Sequence, residues 1–241
     1  IITDFTIHPF WEDVDLDYYV TASELLDFQA QKKGYPAYKV KPFGIPIQPR
    51  FAHKMPMAEA RAQLGLENKF TILLMMGSMG YGSDTLSAVR SLDRMKEDFQ
   101  LITVCGNNKK LKARIDAMTK RKTIINYGYT HEVCTLMDAA DCIITKPGGL
   151  SSSEALAKNL PIIMMDPIPG QEDRNKEFML NNGIALSVSS TFPVTEAVYQ
   201  CIHYDYKMEM LKANMKHIAK PNAAASLGEF MLSLCRGEDA K

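Results

Sequence analysis

The chain has 241 residues, 46% of them hydrophobic, which is enough to bury a sizeable core, and 28 basic residues balance 28 acidic ones. Zero net charge excludes a broad basic field that would draw nucleic acid or an anionic bilayer from a distance. Five cysteines with no C-x-x-C spacing exclude a disulfide framework or zinc site, and there is no signal peptide and no run of about 18 apolar residues.

The chain opens on Ile1-Ile2-Thr3-Asp4-Phe5 without a methionine, as if entering within a strand, and reads as a fragment. His8 precedes Pro9 in an aromatic patch and by residue type is a structural histidine. DYYVTAS, residues 17 to 23, is aromatic and β-branched and predicts a strand, after which Ser23 starts an amphipathic helix to about Lys33, closed by Gly34. A short strand is expected near Tyr38 to Val40. Pro42, Pro46 and Pro49 then punctuate an extended connector, and PMAEARAQLGL predicts a helix with Pro56 near its start and Gly65 at its end.

From residue 70 the pattern becomes a regular alternation. FTILLMMG is a buried strand running into the glycine-rich loop GSMGYGSD, whose G-x-x-G-x-G spacing matches neither the dinucleotide fingerprint nor a P-loop. A helix through Leu86, Val89, Leu92 and Met95 leads to strand FQLITVCG, with Gly106, Asn107 and Asn108 at its carboxyl end. KKLKARIDAMTKRK, 109 to 122, carries lysines and arginines against one acid. It reads as a solvated helix face or, as the alternative, a membrane-surface element. Strand TIINYGY, helix HEVCTLMDAA, strand DCIIT, a helix from about Ser151 and strand LPIIMMD follow. A helix ending on Gly183, strand IALSV and three closing helices, roughly 193 to 203, 205 to 218 and 222 to 235, complete the chain. The fold class is therefore α/β, a Rossmann-like doubly wound parallel sheet.

The stretch from 145 to 175 carries the chemistry. Gly148 and Gly149 permit a tight turn with backbone N–H groups close to a ligand, and Ser151, Ser152 and Ser153 line the entry to a helix whose first amides lack partners. Such a site suits a phosphate or diphosphate, with Lys146 as a cation at the rim. Glu154 beside a diphosphate suits a ribose, whose two hydroxyls can donate to one carboxylate; the competing reading is an S-x-x-E capping box from Ser151 to Glu154. The loop PIPGQED offers Gln171 and Glu172, and then Asn175, to the hydroxyls of a hexose, or merely turns the chain and opens the next helix with acids.

The order K-P-G-G-x-x-S-x-E-A, an apolar strand and P-x-P-G-Q-E-x-x-N resembles the donor signature of family 28 glycosyltransferases of GT-B fold. It is most similar to the processive diacylglycerol glucosyltransferases and monogalactosyldiacylglycerol synthases. The resemblance implies a truncated remnant of the acceptor domain at 1–44, a linker at 45–56 and a nucleotide-sugar domain at 57–241. It implies transfer of a hexose from a UDP-sugar to a lipid such as diacylglycerol, with inversion, at the cytoplasmic membrane face. It assigns Gly77, Ser78, Gly80, Gly148, Gly149, Ser151 and Ser152 to the diphosphate, Glu154 to the ribose, Gln171, Glu172 and Asn175 to the sugar, and Tyr129 and Val133 to the base. Asp4 and His8 would line the acceptor side, His8 as a catalytic candidate. UDP-sugar is then the co-substrate, with no cofactor, no tightly bound metal and no nucleic-acid partner expected. A UDP-sugar 2-epimerase and a non-catalytic UDP-sugar-binding module are the competing functions.

Overall fold

The computed structural model describes residues 1–11, 14–77, 82–167 and 170–237. Its first part is a two-stranded parallel sheet, β1 (Tyr19–Val20) and β2 (Val40–Lys41), with α1 (Asp27–Lys32) between them. The Ser23 hydroxyl accepts from Leu25 N–H and caps a 3-10 turn, Glu24–Leu26, that leads into α1. The expected strand at 38 to 40 is largely a 3-10 turn, Ala37–Lys39, because Pro36 sets it up and only Val40 and Lys41 find a strand partner.

The second part begins with α2 (Met57–Gln63) and alternates regularly: β3 (Thr71–Met75), α3 (Gly82–Asp93), β4 (Gln100–Val104), α4 (Lys109–Asp116), β5 (Ile124–Tyr127), α5 (Val133–Ala139), β6 (Cys142–Thr145), α6 (Gly149–Ala157), β7 (Ile162–Met164), α7 (Gln171–Asn181) and β8 (Ala185–Ser187). Three helices close it, α8 (Val194–His203), α9 (Asp205–Ile218) and α10 (Ala223–Cys235). The strands form one parallel sheet in the order β5-β4-β3-β6-β7-β8. Successive side chains point to opposite faces, so Leu73, Met75, Ile143 and Ile162 enter one apolar layer and Ile72, Leu74, Ile144 and Ile163 the other. Helices therefore cover both faces, as apolar runs without alternation require.

Two expectations change. The helix expected over 109 to 122 stops at Asp116, so its basic residues divide between α4 and the following turn. The helix predicted after Asn175 begins earlier, at Gln171.

The first fifty residues are not a loose appendage. Phe5, Ala22, Leu26, Ile45, Ile47 and Phe51 share an apolar layer with Leu73, Ile143 and Met164. Phe230 of α10 packs against Tyr18 and Phe43, with ring centroids 4.9 and 5.3 Å apart, and Lys220 pairs with Glu24 at 2.8 Å. The connector is held by a buried ion pair. Lys158, at the end of α6, donates to Asp138 Oδ2 at 2.7 Å and to the His53 carbonyl, while Lys54 donates to the Lys158 carbonyl at 2.9 Å. Both members of the pair are almost wholly buried. Removing one leaves the other as an uncompensated buried charge, so Lys158→Met should cost about 3 to 5 kcal/mol in urea unfolding. The double variant Lys158→Met/Asp138→Leu should recover most of that loss; a mild single variant would show that the pair does not anchor the connector.

Candidate functional site

The carboxyl ends of the strands are level. Met75 pairs in register with both Val104 and Thr145, and Thr145 with Met164. The sheet's connectivity reverses between β3 and β6, the adjacent strands from which the chain winds outward in opposite directions. A crevice for ligands forms at such a switch point. Gly77, with φ +79°, follows β3 there, and among the described residues nothing lies within 4 Å of where its side chain would be. Ser78 and Gly80 lie outside the described residues.

Across the switch, Gly148 is the N-cap of α6 and supplies no side chain to the helix terminus. Ser152 N–H is the first to bond back, on the Gly148 carbonyl at 3.0 Å, so the amides of Gly149, Leu150 and Ser151 stand outside the helical ladder. The capping box expected between Ser151 and Glu154 is absent because the helix starts three residues earlier than the box requires, at Gly149 with Gly148 as N-cap, leaving both side chains inside it. Gly149 has a different reason to be glycine. A Cβ there would lie 1.9 Å from the Thr3 carbonyl oxygen, so its missing side chain admits the N-terminal segment. Ser152 also departs from expectation: it is fully buried and its hydroxyl has no partner among the described residues, so it faces the core.

Glu154 lies on the same face of α6 as Leu150 and Ser151, about 7 Å along the axis from the helix start. Its carboxyl is mostly buried and makes no hydrogen bond among the described residues. Burial pushes its pKa up to about 7, and the nearby Arg50 guanidinium partly opposes that rise. Arg50 comes from the connector and was not singled out in the sequence, where it is one basic residue in a proline-rich run. It donates to the His131 carbonyl at 2.9 Å, and its own carbonyl accepts from Cys134 Sγ–H at 3.3 Å. One side chain thus joins the turn before α5 to the neighbourhood of Glu154. On that turn Tyr129 is 61% exposed and meets the His131 ring edge-on, whereas Val133 is half-buried at the start of α5.

The second loop divides its residues. Asp173 accepts from Gly170 N–H at 2.7 Å and opens α7, as an acid at a helix start should. Glu172 instead turns toward Gly148, with Oε1 3.9 Å from the position of an added Cβ. Gln171 begins α7, and its side chain lies outside the described residues. Asn175, expected at the sugar, is fully buried: its Oδ1 accepts from Phe5 N–H at 2.7 Å and its Nδ2 donates to Asp4 at 2.9 Å. Its amide ties the N-terminal segment to α7, and this also engages Asp4. His8 is half-buried, and its carbonyl accepts from Trp11 N–H. A concavity of about 560 Å³ beside Phe5, Gln29, Lys33 and Arg174 contains none of the predicted site residues. No group of three or more potential metal ligands occurs among the described residues.

Residues 56–217 match the family model described as "Glycosyl transferases group 1", and residues 1–47 match the model for monogalactosyldiacylglycerol (MGDG) synthase. The chain belongs to the group 1 glycosyltransferases. This glycosyltransferase chain is 30% identical over 232 residues to the processive diacylglycerol beta-glucosyltransferase of Bacillus pumilus, covering 95% of itself and 60% of that relative. It therefore spans about three fifths of the length of the curated relatives it matches. Two solved structures share the fold. Anabaena Alr3699/HepE in complex with UDP-glucose gives a TM-score of 0.59 at 15% identity, over 90% of this chain and 64% of that one. Acinetobacter baumannii MurG gives 0.57 at 16% identity, over 93% and 75%.

The Glu154 carboxyl has a folded pKa above its ordinary value of 4.5. The folded state thus holds a proton that the unfolded state releases, and the stability this confers below pH 4.5 is lost as pH rises to about 7. Glu154→Gln removes this dependence and should stabilise the protein above pH 7 by up to about 3 kcal/mol. Parallel pH series of chemical unfolding would check it; equal slopes for the two proteins would contradict a strained carboxyl.

Proposed function

We propose that this glycosyltransferase chain binds the donor half of a reaction that moves a hexose from a UDP-sugar to a lipid acceptor such as diacylglycerol, with inversion, at the cytoplasmic face of a membrane. The observation that carries the reading is Glu154: a mostly buried carboxyl without a hydrogen bond among the described residues, one and a half turns below a helix start that has no side-chain cap. A ribose diol would satisfy that carboxyl while the diphosphate takes the amides of Gly149, Leu150 and Ser151. Glu172, beside Gly148, stands where a sugar on the distal phosphate would emerge, and Tyr129 and Val133 lie on the turn that Arg50 joins to Glu154. The similarity to diacylglycerol glucosyltransferases and the UDP-glucose held by the HepE structure support this choice of donor and acceptor.

In the reaction the helix terminus stabilises the departing UDP, whose negative charge grows as the glycosidic bond breaks. The base that takes the acceptor proton would come from the other half of the enzyme or from the acceptor side of the cleft, where His8 remains a candidate. Because backbone amides neutralise the diphosphate, UDP binding should need no divalent metal. Calorimetry with and without magnesium tests this, and binding seen only with the metal would end the helix-terminus account.

Glu154→Gln should weaken UDP-glucose binding by about 1 to 3 kcal/mol. Wild-type affinity should rise with pH and level off above about 7, since binding favours the carboxylate, and the variant should lose this trend. UDP-glucose is the ligand of choice because its diphosphate has no proton to lose in this range. Arg50→Gln should move the wild-type trend to higher pH by removing the cation that opposes protonation. Turnover of UDP-glucose against UDP-galactose by the full-length protein with diacylglycerol would identify the sugar and the acceptor; no transfer from either would sink the proposal.

A further inference from the structure

A second concavity, of about 570 Å³, lies at the amino-terminal edge of the sheet, the end opposite the nucleotide crevice. Four arginines line it. Arg90 comes from the last turn of α3, Arg94 follows that helix, Arg114 is in the last turn of α4, and Arg121 is in the turn before β5. Ala117, Met118 and Thr119 complete the wall between them. The helix dipole accounts for a cation at the end of α3 and another at the end of α4, but not for Arg94 and Arg121 or for their convergence on one opening.

The nearby acids do not neutralise it. Asp93, the one acid in the wall, is buried, and its Oδ1 accepts from the Arg121 and Lys122 amides at 2.9 and 3.0 Å. That carboxylate is committed to holding the Arg121 turn against α3. Asp116 is bonded to Lys112 and Asn126, Asp98 pairs with Lys69, and Glu97 faces His203. None of the four guanidiniums makes an ion pair or a side-chain hydrogen bond among the described residues. In a chain of zero net charge this sets four guanidiniums against the single Asp93 carboxylate, a local excess of planar donors whose fork geometry matches phosphate oxygens.

We propose that this concavity is a second anion site that takes a multiply charged phosphate group, separate from the nucleotide crevice. The basic run at 109 to 122 divides accordingly: Arg114 and Arg121 serve the site, while Lys122 is turned away, donating to the Glu97 carbonyl at 2.5 Å and lying over the Phe99 ring. The phosphate can be borne by a soluble molecule or by a lipid headgroup, and the chemistry of recognition is the same.

The test titrates inorganic pyrophosphate into the wild-type protein and into Arg114→Gln/Arg121→Gln, both in excess UDP to occupy the crevice. The difference between the two proteins reports the arginine site whatever the crevice binds. Saturable wild-type binding that falls about tenfold or more in the variant, and weakens with added salt, is expected. A second pair, Arg90→Gln/Arg94→Gln, guards against a folding defect in the first. Co-sedimentation with phosphatidylcholine vesicles, with and without phosphatidylglycerol, separates the sources. Retention that needs phosphatidylglycerol and is lost in the variants assigns a lipid headgroup, and pyrophosphate binding without retention assigns a soluble phosphate. Absence of both kinds of wild-type binding, or binding unchanged in both variants, overturns the site.

Discussion

The arrangement depends on a contact that only glycine permits. The Thr3 carbonyl oxygen rests where a side chain of residue 149 would be, so the N-terminal segment crosses the first turn of α6 at backbone distance. Asn175 completes the attachment by bonding Asp4 and Phe5 from α7, and Phe5 stacks on Phe178 with ring centroids 5.1 Å apart. A side chain at 149 would displace the segment, and with it the joint between α6 and α7. The two loops that bring Gly148 and Glu172 together are therefore held in part by residues far from either in sequence.

Electrostatics in this molecule is local. Net charge is zero, yet charges are buried or strained at particular points. Lys158 and Asp138 are buried as a pair, with the His53 carbonyl as a third partner, and together they draw the connector onto α5 and α6. Glu154 is mostly buried, has no hydrogen-bonding partner among the described residues, and has its pKa pushed up to about 7 by burial. The first arrangement pairs its charges and fixes geometry. The second is unsatisfied, and a ligand that donates hydrogen bonds gains from meeting it. That contrast separates a charge kept for architecture from one available for binding, a distinction that residue type alone does not make.

The alternation of strands and helices was legible because a buried parallel strand leaves a continuous apolar run and glycine marks helix ends; the six strands from β3 to β8 lie where those runs predicted. The glycine turn between β6 and α6 was legible as a turn, but the reason for glycine at 149, the Thr3 carbonyl packed against it, was not. What stayed hidden was partnership across sequence. Asn175 looked like a sugar ligand because an amide near a strand end suits a hydroxyl, but its partners lie some 170 residues away. Ser151 to Glu154 matched a capping box, yet the helix begins at Gly149, since a cap is set by backbone geometry and not by spacing. Arg50 had no local signal, because its importance comes from the His131 carbonyl it reaches.

Arg50 and Lys158 together alter the meaning of the connector. A segment rich in proline between two units suggests a hinge, and a hinge should carry few contacts to either side. Here Ile45, Ile47 and Phe51 are buried in the same apolar layer as β3 and β6, His53 is held by Lys158, and Arg50 reaches the turn before α5. The connector is packed as part of the larger sheet's layer. Arg50 is therefore held beside Glu154 by the same contacts that seat the connector on the sheet's apolar layer. If Glu154 meets a ribose as proposed, that end of the site is thus preformed within this chain.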